Sequence, residues 1–161
     1  MPPITALLHT ANDISRLSRT LETLLPCAEI LIVDHHSSDG TLRIARTYGA
    51  RIVLAERKSA KNYLELARHE WIFCIAPGES ITESLQASLY EWNIPPQAEL
   101  VRDTIQVPGY SVRVREQRGE RWQENPTPET RLISRSSKWN GGLAMYDPAT
   151  TLLEGELLRF M

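Results

Sequence analysis

An acid at the end of an apolar run is the first feature of this 161-residue chain that could do chemistry. Ile30-Leu31-Ile32-Val33 leads into Asp34, and His35-His36-Ser37-Ser38-Asp39-Gly40-Thr41 follows. The run suits a strand buried on both faces, so the polar residues leave at its carboxyl end. Ligands of open α/β sheets collect just outside that end, which makes Asp34 with Ser37, Ser38, Asp39 and Gly40 a binding-loop candidate. A plain turn feeding a helix, with Ser38 or Asp39 as N-cap, accounts for the same residues.

Three other groups of reactive side chains stand out. His35 and His36 follow Asp34, and His9 closes another apolar run, a combination that occurs in metal and acid/base sites. Neighbouring residues at a strand exit point in different directions, however, and the set lacks the convergent spacing of two histidines one helical turn apart. Arg113, Arg115, Arg118 and Arg121 near Trp122 could clamp phosphate, or form the solvated face of an amphipathic strand. Cys27 and Cys74 have no metal-type spacing and lie in or beside apolar segments, as small buried hydrophobes do.

The elements that must position these residues alternate. Ile4 to Leu8 reads as a first strand, and Asp13 to Leu25 as a helix with Ile14, Leu17, Leu21, Leu24 and Leu25 on one face, stopped by Pro26. Glu29 to Asp34 is the second strand. Leu42, Ala45 and Tyr48 share a helical face, with Gly49 at a left-handed cap. Arg51 to Leu54 is a third strand, Ser59 to Arg68 a helix, and Trp71 to Ile75 a fourth strand. Thr82 caps a helix carrying Leu85, Leu89 and Trp92. This order predicts a parallel sheet covered by helices on both faces. Beyond Gln97 the pattern shortens: Val112 and Val114 alternate with Arg113 and Arg115, Arg118-Gly119 reads as a turn, and Arg131 to Ser134 as another strand, giving an antiparallel hairpin region. Residues 150–161 read as a C-terminal helix.

Charged residues make up 24% of the chain and the formal net charge is −2, so there is neither a nucleic-acid footprint nor an acidic tail. No stretch approaches the roughly 20 apolar residues that span a bilayer. The expectation is one domain: a nucleotide-binding half over residues 1–94, a short antiparallel part over 97–145, and the terminal helix.

Val33-Asp34, Ser37-Ser38-Asp39-Gly40-Thr41 and Tyr48-Gly49-Ala50-Arg51, followed by Lys61-Asn62 before Glu65-Leu66-Ala67, together resemble the nucleotide-binding half of family 2 glycosyltransferases, the inverting enzymes of GT-A type. The likeness runs from Ile4 to Trp92, with an echo of bacterial lipopolysaccharide-core members between Tyr110 and Gly142. It implies a GT-A-like α/β fold and transfer of a sugar, with inversion, from a nucleotide diphosphate sugar of uridine type to a saccharide or lipid-linked acceptor. By position, Thr10 and Asn12 resemble the exit of the family's first strand, which lines the nucleotide pocket. Asp34 resembles the acid that accepts a hydrogen bond from the base, and Ser37 and Asp39 fall in the same nucleotide-binding set. Lys61 resembles the basic residue that faces the pocket. An acceptor-only carboxylate suits a ring N–H, hydroxyls suit ribose or phosphate oxygens, and a lysine offsets diphosphate charge.

Two departures qualify that likeness. Where the family places Asp-x-Asp to hold a divalent cation, this chain has Ala76-Pro77-Gly78. Mg2+ or Mn2+ would suit the family's chemistry, but its usual ligands are missing and no other cofactor is evident. Glu79, one position on, is either a relocated ligand or a helix-start carboxylate. The base that an inverting transferase needs is also missing: Pro128-Glu129-Thr130-Arg131-Leu132-Ile133-Ser134-Arg135, Trp139 and Gly141 follow the lipopolysaccharide-core pattern, but no His-Glu follows them. Asp147 is the nearest acid, so Glu79 and Asp147 are the catalytic candidates. The alternative is an inactive GT-A-fold protein that binds a nucleotide or a protein, or a homodimer paired through exposed edge strands. A cytoplasmic location is expected, with peripheral attachment to the inner membrane compatible with a lipid-linked acceptor.

Overall fold

The computed structural model describes residues 2–55, 63–92, 109–135 and 150–160. The first half runs β1 (Ile4–Thr10), α1 (Leu17–Glu22), β2 (Glu29–Asp34), α2 (Thr41–Thr47), β3 (Arg51–Leu54), a 3-10 turn (Tyr63–Leu66) and β4 (Trp71–Cys74); it alternates as its periodicity predicts, except that the helix expected over Ser59 to Arg68 is only this short 3-10 turn among the described residues. Then come β5 (Glu79–Ile81), α3 (Glu83–Glu91), β6 (Tyr110–Arg118), β7 (Arg121–Glu124), β8 (Glu129–Ser134) and β9 (Thr151–Arg159). The described strands form one sheet in the order β3-β2-β1-β4-β8-β6-β9-β5, with β7 paired to β6. β3, β2, β1 and β4 are parallel, and β8 joins β4 antiparallel.

Two apolar layers flank the sheet. Ile4, Ala6, Leu8, Ile32 and Phe73 pack with Leu17 and Leu21 of α1, Ala45 of α2, and Leu85 and Leu89 of α3. On the other face Leu7, Leu31, Val33, Ile72 and Ile133 meet Leu64 of the 3-10 turn and Ala67 just after it. The strands β1, β2 and β4 are thus buried on both sides, which explains their unbroken apolar runs.

Several boundaries differ from the sequence reading. α1 begins at Leu17 rather than Asp13, because Asp13 is engaged by loop residues and its carbonyl accepts from Arg16 and Leu17 in a turn. α2 has Gly40 at its N-cap; Asp39 instead bonds the Thr41 N–H at 3.0 Å from one position further out. Thr82 caps α3 as expected, accepting from the Leu85 N–H at 3.3 Å. Gly49 and Gly119 take the positive φ that their turns require, at 75° and 65°.

The expected C-terminal helix over residues 150–161 is instead strand β9. It is inserted between β6, which it pairs in parallel, and β5, which it pairs antiparallel. Two ladders outweigh the helix propensity of its Leu and Glu residues. Between the Ser111–Leu152 and Arg113–Glu156 pairs β9 carries extra residues, and Gly155 takes a φ of 105° in that bulge. A Cβ at 155 would lie 2.2 Å from the Leu85 nitrogen, so only glycine allows α3 to lie so close.

Candidate functional site

Parallel pairing aligns the carboxyl ends of β1, β2, β3 and β4 on one edge of the sheet. Register puts Thr10 beside Asp34, and Asp34 beside Leu54. The main chain there is pinned on both sides: the His35 N–H donates to the Thr10 carbonyl at 2.8 Å, and the Ala55 N–H to the Asp34 carbonyl at 2.9 Å. Asp34 itself is 2% exposed. Its Oδ2 accepts from the Ser37 N–H at 3.2 Å, while the buried Oδ1 has no hydrogen-bond partner among the described residues. A buried carboxylate oxygen without a donor is costly and uncommon in a folded protein.

The loops after β1 and β2 are stitched together in front of this acid. Asn12, at a φ of 53°, accepts from the Ser38 N–H at 2.8 Å and donates its own N–H to the Ser37 hydroxyl at 3.0 Å. Asp39 accepts from the Ile14 N–H at 3.3 Å and from both the N–H and hydroxyl of Thr41. The Thr41 hydroxyl oxygen accepts from the Asp13 N–H at 3.0 Å. Asp13 is the residue that the sequence offered only as the start of the first helix. It is buried, and its carboxylate accepts from the Thr10 hydroxyl at 2.8 Å, the Ala11 N–H at 3.0 Å and the Arg16 guanidinium. Burial pushes the Asp13 carboxyl up, but the Ala11 N–H, Arg16 and Thr10 outweigh it and hold the group below its ordinary value.

The structure therefore gathers Thr10, Asn12, Asp34, Ser37 and Asp39 at one edge, and gives them different work. Asn12, Ser37 and Asp39 bind the two loops to one another, and the Thr10 hydroxyl bonds Asp13 within the first loop; the Asp34 carboxylate keeps an unspent acceptor. Lys61 and Asp147, with Trp139 and Gly141, lie outside the described residues.

The histidines divide. His9 Nδ1 and His35 Nε2 are 2.9 Å apart, and the His9 ring stands edge-on to Tyr63. Burial, then the neighbouring His35, lowers the His9 pKa below the ordinary histidine value, which favours the neutral ring. His36 is exposed at a φ of 59° and joins neither. Among the described residues no group of three or more His, Cys, Asp or Glu is placed to hold a metal ion.

After β4 the chain turns through Ala76, Pro77 and Gly78 into β5, so Glu79 starts a strand and not a helix. It is 2% exposed, and all of its acceptor capacity is directed at protein donors. Oε1 accepts from the Ala76 N–H and Arg131 Nη1, each at 2.8 Å; Oε2 accepts from Arg131 Nη2 at 2.8 Å and Arg159 Nε at 3.1 Å. Arg131 also donates to the Cys74 carbonyl and to Glu129, and Arg159 to Glu129 and Glu116. Burial alone would lower the Arg131 pKa; Glu79 and Glu129 outweigh it and hold it above its usual value. The alternation in Glu129-Thr130-Arg131 put both charged residues on one strand face, a signal available in the sequence.

No family model matches the chain. Over 91 residues it is 26% identical to an uncharacterized glycosyltransferase of Rickettsia prowazekii, a match covering 53% of this chain and 31% of the relative. Over 88 residues it is 30% identical to an uncharacterized glycosyltransferase of Rickettsia bellii, covering 52% of this chain and 30% of the relative. The chain thus spans less than a third of the length of these curated relatives. Among solved structures, S. aureus TarS shares its fold with a TM-score of 0.55 at 15% identity, over 82% of this chain and 28% of TarS. TarS 1-349 in complex with UDP aligns with a TM-score of 0.51 at 17% identity, over 73% of this chain and 37% of that one.

Proposed function

We propose that this chain, which resembles GT-A-type nucleotide-sugar transferases in sequence and has a GT-A-like α/β fold, carries the nucleotide site of a glycosyl-transferring protein. The donor is a nucleotide diphosphate sugar of uridine type, and the acceptor a saccharide or lipid-linked molecule attacked with inversion. One observation carries the reading: Asp34 presents a buried, unpartnered oxygen at the carboxyl edge of the sheet, pinned between β1 and β3. A ring N–H of a base is the neutral donor such an acceptor wants. The UDP held by TarS supports uridine as the base. Lys61 contributes to the diphosphate end. No described helix is long and apolar enough to cross a membrane, and a peripheral, cytoplasmic-face location goes with a lipid-linked acceptor.

Calorimetric titration with UDP tests this. Wild type binds, and Asp34→Asn, which replaces an acceptor oxygen by an amide, weakens binding about tenfold or more. Absence of heat and of thermal protection by UDP or GDP at millimolar concentration overturns the reading. A second reading, binding without transfer, is favoured by the side chains after β4, where Ala76 and Gly78 carry no acid and Glu79 is bound to two arginines. A panel of uridine diphosphate sugars separates the two: release of UDP supports transfer, and saturable binding with no release supports the second.

A further inference from the structure

The turn at Gly78 carries the wrong charge for a cation. The fold family implies a divalent ion there, which needs several oxygen ligands, and the described residues do not fit one. Ala76, Pro77 and Gly78 offer no side-chain oxygen, Glu79 is spent on Arg131 and Arg159, and Asp13 on Arg16, Thr10 and Ala11. What stands against Gly78 is a guanidinium. At a φ of 91° the glycine turns its vacant Cβ direction toward Arg16: a Cβ would lie 3.5 Å from Arg16 Cδ and 3.6 Å from Arg16 Nη1.

Arg16 is well placed to hold an anion. Its Nη2 is anchored on the buried Asp13, while its side chain is 55% exposed and Nε and Nη1 have no acceptor among the described residues. Arg19, one helical turn on, makes no ion pair among the described residues; its guanidinium carbon lies 4.1 Å from the centre of the Phe160 ring. Phe160 in turn donates its N–H to the Gly78 carbonyl at 2.9 Å. Two cations therefore border one turn. From Asp34 at the end of β2 to the exit of β4 is two strand spacings, about 10 Å across the sheet. That separation matches a nucleotide laid over β1 with its base at one end and its phosphates at the other.

We propose that Arg16, with Arg19 beside it, binds the diphosphate of the nucleotide over the Gly78 turn, so that a guanidinium holds the charge and binding requires no divalent cation. A planar guanidinium meets phosphate oxygens with two parallel hydrogen bonds, and Asp13 fixes its orientation in advance. The proposal rests on the nucleotide site described above, and its test keeps the two apart.

Uridine and UDP are titrated into the wild-type chain, Arg16→Gln and Arg16→Lys, in EDTA and in Mn2+. The expected wild-type result is a UDP affinity well above that of uridine and equal in EDTA and Mn2+, falling as salt rises. Arg16→Gln lowers the ratio of UDP to uridine affinity about tenfold while uridine affinity stays unchanged, and Arg16→Lys recovers part of the ratio. Unchanged uridine affinity also shows that the Gln variant is folded. An unchanged ratio in Arg16→Gln, or a wild-type UDP affinity raised tenfold or more by Mn2+, overturns the role of Arg16 and leaves the nucleotide site standing. Failure of the wild type to bind either ligand overturns both.

Discussion

Asp34 and Asp13 are both buried acids at the same sheet edge, and they differ in what they keep for a ligand. Asp13 is saturated by Thr10, Ala11 and Arg16, whereas Asp34 retains one oxygen without a donor. Asp34 was legible because it ends an apolar run; Asp13 was not, because its role depends on Thr10 and Arg16 folding back across the loop. His9 gives a pH prediction. Its pKa is lower folded than unfolded, so the unfolded chain binds the proton more readily, and stability from this group is lost as pH falls through about 6.5. His9→Gln is expected to flatten that part of the stability profile measured by urea titration. The two thiols are a second residue-scale case. Burial raises Cys27 and Cys74 to about 12, so neither reacts with a thiol reagent at pH 8 in the native protein, and both react in denaturant.

At the scale of elements, β9 shows where local pattern is overruled. Its Leu-rich, Glu-containing sequence favours a helix in isolation, but placement between β6 and β5 gives it hydrogen bonds on both edges and buries Leu157 completely. Gly155 is the hinge of that arrangement. Gly155→Ala is expected to cost about 3 kcal/mol or more, because the new Cβ would meet main-chain atoms of α3 and the φ of 105° is unfavourable for alanine. Gly119→Ala, at a φ of 65° with open space around it, is expected to cost only about 1–2 kcal/mol. Chemical denaturation of the two variants checks the contrast. The α2 and α3 segments, by comparison, form where their periodicity and the cap at Thr82 place them.

At the scale of the molecule, a buried charge network ties the two halves of the sheet. Arg131 of β8 reaches the Cys74 carbonyl of β4 and Glu79 of β5, and Arg159 of β9 joins Glu79, Glu129 and Glu116. Arg131→Met is expected to destabilise by about 3–5 kcal/mol, since it leaves Glu79 and Glu129 buried with less compensation; adding Glu79→Gln is expected to recover part of that loss in a double-variant cycle. Acid acts on the same level. Burial raises Asp13 and Glu29, but their N–H and arginine bonds outweigh it, and Glu116 is lowered by Asn125 and Arg159. Folded values below the unfolded ones mean that this stability is present above the ordinary carboxylate range, near pH 4, and is lost as pH falls through the folded values. Thermal unfolding followed between pH 7 and pH 2 checks that sign. What the sequence by itself determined is the parallel half and its exposed edge: apolar runs, helical periodicity and turn residues are local, and they put Asp34 and its loop at the ends of strands. Only the tertiary structure decided which polar groups remain unspent, because that depends on which donors arrive from distant segments. It took Glu79 into a network with arginines 52 and 80 residues away, left one oxygen of Asp34 unbonded, and laid Arg16 against Gly78.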